Sequence, residues 1–90
     1  LKPELITRAE LLRWAEECER LAIRSEEAAR DGERVAADPS RSEYTRACAA
    51  RAAEIAREHA AEYRAEAVVM RDGEVPEPYW HLYTTDPENL

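Results

Sequence analysis

The sequence predicts an all-α protein, an antiparallel two-helix hairpin with an extended C-terminal tail, dimerising into a four-helix bundle. Three features predict it. Small and apolar residues recur every seven positions through the first third of the chain, a second helical periodicity follows, and only the short break at Asp38-Pro39 separates the two. A connection that short makes the helices antiparallel neighbours. The 90 residues read as a single small domain, with helix 1 over 8–38, helix 2 over 41–71 and an acidic aromatic tail over 72–90.

Helix 1 has a defined start. Thr7-Arg8-Ala9-Glu10 fits a capping box, in which hydroxyl and carboxylate satisfy two orphan amides reciprocally, so the helix begins at Arg8. Leu11, Cys18, Ser25 and Gly32 then share one heptad position. Trp14, Leu21, Ala28 and Val35 lie three residues on, with Ala15, Ala22, Ala29 and Ala36 beside them. Alanine at every seventh place lets another helix come close, so the face suits helix contact rather than enclosing a ligand. Gly32 costs about 1 kcal/mol of helix propensity, and Asp31-Gly32 is a candidate kink or early end. The helix breaks at Asp38, because the residue before a proline is pushed out of the α region.

Ser40-Arg41-Ser42-Glu43 offers a second capping box, and Asp72-Gly73 a left-handed cap at the far end of helix 2. Between them Tyr44, Cys48, Ala52, Ile55, Ala56, His59, Ala60, Tyr63, Ala67 and Met70 fall in one arc, opposite Arg46, Arg57 and Arg64. The expected helix-packing interface is therefore Leu11, Trp14, Cys18 and Leu21 against Tyr44, Ile55, His59 and Tyr63. Its centre places His59 and Tyr63 near Cys18, Trp14 and Leu21, and Tyr44 near Val35.

Size and composition then point to a partner. A chain of 90 residues buries a small share of its surface, and much of its 44% hydrophobic content is alanine, which adds little area. Two helices alone leave the outer half of each apolar stripe in water. A second copy, giving a homodimer, or another protein is expected to cover it.

The net charge is -7, and residues 72–90 carry Asp72, Glu74, Glu77, Asp86 and Glu88 with no Lys or Arg. Arginines in the helices alternate with glutamates instead of forming a basic stripe, so no direct nucleic-acid binding is expected. No run approaches the roughly 20 apolar residues of a membrane span, and no signal peptide is visible. A cytoplasmic protein away from membranes is the expectation.

Cys18 and Cys48 are too far apart to pair within one hairpin. With a turn near Pro39, Cys48 lies level with about Arg30, and Cys18 is roughly 18 Å further along at 1.5 Å per residue, whereas a disulfide needs Cα atoms within about 7 Å. Each is expected to be a small buried hydrophobe.

The tail segment 74–83 holds three of the six aromatic residues. One reading folds it back as a cap on the hairpin or its dimer. The other makes it a docking peptide for another protein, with Tyr79, Trp80, Leu82 and Tyr83 as anchors, since Trp and Tyr dominate interface energies.

No catalytic residues and no cofactor are expected. Glycine loops and zinc spacings are missing from the sequence, and an alanine-walled seam offers no substrate pocket even if Cys18 and His59 lie close. His59, Glu62 and Glu66 are the candidates for a metal. In size and architecture the chain resembles the encapsulated ferritins, whose two-helix subunits dimerise into a metal-binding bundle. Those sites use Glu-x-x-His, and here the position three before His59 is Ala56. Glu54, Glu58, Glu62 and Glu66 form a ladder of like charges at four-residue spacing, expected to be relieved by Arg13, Arg20 and Arg24 of helix 1.

The function this predicts is a non-catalytic protein–protein interaction or regulatory module. Two alternatives are an acidic inhibitor that imitates nucleic acid and a dimeric metal-binding helical protein.

Overall fold

The computed structural model describes residues 2–85. Strand β1 (Glu4–Ile6) leads into helix α1 (Arg8–Ala36), which is followed by helix α2 (Glu43–Arg71), a 3-10 turn (Glu77–Tyr79) and strand β2 (Tyr83–Thr85). The chain is mostly helical, and its two helices pack against each other as an antiparallel hairpin. Packing divides it into two compact units, one of residues 1–19 with 64–90 and one of Arg20–Tyr63. No described helix is long and apolar enough to cross a membrane.

The start of α1 is the capping box of the sequence. The Thr7 amide donates to Glu10 Oε2 at 3.1 Å, and the Glu10 amide donates to Thr7 Oγ1 at 3.2 Å. The start of α2 differs from expectation. Asp38 Oδ1 accepts from both the amide and the hydroxyl of Ser40, which closes a turn around Pro39 and takes Ser40 out of the helix. Ser42 caps instead, accepting the Thr45 amide at 3.1 Å, so α2 begins two residues later than expected. At its end Gly73 sits at φ 82°, with Gly73 N–H donating to Met70 and Glu74 N–H to Val69, the two bonds of a Schellman motif.

In the unit Arg20–Tyr63 the fully buried apolar residues are Ala22, Ala29, Ala53 and Ala60. The face expected on α2 packs in part: Ala60, Ala67 and Met70 of it are buried, but its large members nearer the turn are not. Tyr44 is 79% exposed, Ile55 is 37% exposed, and Cys48, Ala52 and His59 are exposed as well, whereas Ala53 and Ala60 are buried. Gly32 gives the physical reason. α1 runs unbroken through it, and a Cβ there would lie 2.9 Å from the Ala49 carbonyl oxygen and 3.1 Å from the Ala53 Cβ. At so close an approach only alanine fits between the helices, and the bulkier side chains turn out to the flank.

The other unit has a larger core: Ile6, Leu11, Ala15, Cys18, Ala67, Met70 and Val75 are buried. Tail residues 72–85 are part of it and fold back instead of running free. β2 pairs parallel with β1, Glu4 opposite Tyr83 and Ile6 opposite Thr85. Tyr83 meets Trp14 edge-on with ring centroids 4.9 Å apart, and the Trp80 indole donates to the Val75 carbonyl at 2.7 Å. Pro76 and Val75 are buried under this return path, which explains why a proline-bearing acidic segment folds back: it carries the apolar groups that close the end of the hairpin. Asp86 and Glu88 lie outside the described residues.

Candidate functional site

The most distinctive surface lies on the unit Arg20–Tyr63, and one-residue arithmetic defines it. Leu21 and Ala28 each precede a buried alanine of α1, Ala22 or Ala29. Cys48, Ala52 and His59 each precede Ala49, Ala53 or Ala60 of the packed row on α2. One residue back rotates by the same 100° on both helices. Because the helices are antiparallel, equal rotations carry both rows to the same side of the hairpin. Leu21, Ala28 and Val35 thus share a flank with Tyr44, Cys48, Ile55 and His59. Leu21 and Val35 are half-buried, and Tyr44, Ile55, Cys48 and His59 are exposed.

The opposite flank is reached by one residue forward, and it is charged. Arg57 there grips Glu33 with two hydrogen bonds, 2.7 Å at the shorter, which holds the Glu33 carboxyl below the usual carboxylate range. A shallow groove of about 630 Å³ runs along this side over Ala36, Ala37, Ala50 and Ala53, with Glu33, Glu54, Arg57 and Glu58 lining it as well. In the other unit Arg71 forms the equivalent bidentate pair with Glu19, whose carboxyl is likewise held low by that hydrogen bond. These two interhelical pairs put arginine on α2 and glutamate on α1. Glu54 pairs along its own helix, with Arg51.

The expected tail anchors divide. Tyr83 is half-buried against Trp14, and the half-buried Tyr79 donates its hydroxyl to Glu66 Oε1 at 3.3 Å. Trp80 and Leu82 are 61% and 46% exposed. Leu5, Val68 and Ile23, which belong to none of the expected sites, are exposed too.

Titratable groups are placed differently from expectation. Cys18 is buried with its Sγ 3.8 Å from Glu66 Oε2, so it is level with Glu66 and not with His59 and Tyr63. Glu66 lies three residues beyond Tyr63 along α2, so Cys18 meets α2 further from the turn than expected. Burial pushes the Cys18 thiol up, and the Glu66 carboxylate adds to it. Cys48 is exposed rather than buried, and neither cysteine is in a disulfide. His59 is exposed and Glu66 turns to Cys18 and Tyr79. Among the described residues no three His, Cys, Asp or Glu side chains are placed to hold a metal ion.

No protein-family model, curated protein or solved structure matches the chain. A reading of its function therefore rests on the geometry above. The flank was legible in part. The expected arc on α2 contained its residues together with Ala56 and Ala60 of the seam, and the signal that separates flank from seam is that these two continue an alanine row through Ala49 and Ala53.

Proposed function

We propose that the chain is a non-catalytic interaction module, a helical hairpin that self-associates into a four-helix bundle through the open flank of Arg20–Tyr63 and scaffolds or regulates a cytoplasmic protein complex. A single observation carries this. The interior of that unit is alanine, while four of its larger apolar side chains, Leu21, Val35, Tyr44 and Ile55, gather on one flank, with Ile23 exposed on the other. Each buried methylene-sized group contributes about 0.8 kcal/mol, so an alanine seam stabilises weakly and the flank holds most of the apolar area still to be gained. Covering it with a second hairpin of the same kind gives the layered packing of a helical bundle. Trp80 and Leu82, exposed on the other unit, are the anchors proposed for a different protein, and the acidic segment beside them favours a basic surface.

Light scattering across a dilution series tests the reading. The expected result is a dimer that dissociates on dilution, with Ile55→Asp monomeric at every concentration and helicity by circular dichroism preserved. A wild-type chain that stays monomeric at high concentration overturns it.

A further inference from the structure

We infer that an extended peptide of another protein, bearing lysine or arginine, adds as a third strand to the outer edge of β2, along a groove walled by Trp80 and Glu74. This rests on the reading of Trp80 and Leu82 as anchors for a basic partner and adds the form that partner takes. Strand register decides which backbone groups are left to bind it. The Glu4 amide donates to the Leu82 carbonyl at 2.8 Å while Glu4 stands opposite Tyr83, so the parallel ladder runs through Leu82 and Thr84 of β2 and through Glu4 and Ile6 of β1. The amides and carbonyls of Tyr83 and Thr85 point the other way. Among the described residues none of these four groups has a hydrogen-bond partner, and an open strand edge is a template for another chain.

The edge of β1 offers much less. Only Leu5 has both of its groups to give there, because Pro3 lacks an amide hydrogen and Thr7 commits its amide to Glu10 and its carbonyl to Leu11. Along β2, by contrast, runs a groove of about 490 Å³ lined by Glu74, Val75 and Trp80 together with Tyr83, Thr84 and Thr85. The Trp80 indole is fixed by its bond to the Val75 carbonyl and is still 61% exposed, so it forms a rigid wall on which an aliphatic stem or a cation can rest. Charge selects the peptide. Glu74 is the charged residue of the lining, is exposed, and among the described residues has no ion pair. Asp72 and Glu77 lie on either side of it in sequence, in a stretch, 72–90, that holds no Lys or Arg. A basic strand supplies the missing counter-charge, and an acidic one is repelled.

The test is calorimetric titration of the full chain with a blocked peptide alternating lysine and valine, and with one alternating glutamate and valine. The lysine peptide should bind, less tightly as salt is raised, and the glutamate peptide should not. Thr85→Pro removes an outward amide while the bonds to β1, made by Leu82 and Thr84, stay in place. It should weaken the lysine peptide by roughly tenfold, the loss of one hydrogen bond, with helicity by circular dichroism unchanged. Glu74→Lys, which leaves every backbone group in place, should weaken it as well. A lysine peptide that binds Thr85→Pro as tightly as the wild type overturns strand addition and leaves the basic partner at Trp80 standing. A Thr85→Pro chain whose mass by light scattering differs from the wild type overturns it in favour of a second copy on this edge. No binding of the lysine peptide, or equal binding of both peptides, overturns strand addition and the basic partner together.

Discussion

Gly32 shows how a single residue can be read with the wrong sign. From propensity alone it is a cost of about 1 kcal/mol and a possible kink. In the structure it is the point of closest helix approach, with room for a hydrogen where a methyl would press on the Ala49 carbonyl at 2.9 Å. Gly32→Ala sets the two effects against each other. The helix gains about 1 kcal/mol, but a Cβ facing backbone on one side and the Ala53 methyl on the other forces the helices apart, an overpacking cost of typically 1–3 kcal/mol. Net destabilisation is the expected outcome, and a raised melting temperature would show that the seam has slack. Neighbouring side chains carry the same lesson. Tyr44, Ile55 and His59 fall in the arc expected to pack, and their size is what excludes them from a seam this tight.

At the scale of elements, boundaries set by local chemistry were legible and those set by competition were not. The Thr7 and Glu10 box fixes the start of α1 with bonds reaching only three residues, so the sequence is sufficient. Two serines compete at the start of α2, and Asp38 decides between them by binding Ser40. Substituting each with alanine should separate the roles: Ser42→Ala removes the cap of α2 and costs about 1 kcal/mol, whereas Ser40→Ala leaves its amide on Asp38 and costs less. Chemical denaturation of the two variants measures this, and equal losses would mean that both serines cap. The strand pair had no signal to read. Glu4–Ile6 and Tyr83–Thr85 are three residues each, too short to show alternation, and their pairing depends on the tail returning over Trp14.

For the molecule as a whole, acid is the informative perturbation. Glu19, Glu33 and Asp38 are all held below their ordinary values, by Arg71, Arg57 and Ser40 respectively. A carboxylate with a lowered folded-state value contributes stability above its unfolded value, near 4, and loses it as pH falls through the folded one. Melting temperature should therefore hold from neutrality to about pH 5 and decline below about pH 4. Raised salt should flatten the decline, because the pairs are exposed and screened; a melting temperature independent of pH down to 2 would remove these pairs from the account. The parallel pairing of β1 with β2 has a mechanical consequence. A pull on the backbone ahead of Glu4 and an opposite pull beyond Thr85 run along the two strands in opposing senses, so the load falls on all their hydrogen bonds together, in shear. An antiparallel pair gripped at one end would instead unzip one bond at a time. Tension across this chain should meet its first resistance at that clasp, before either helix is disturbed.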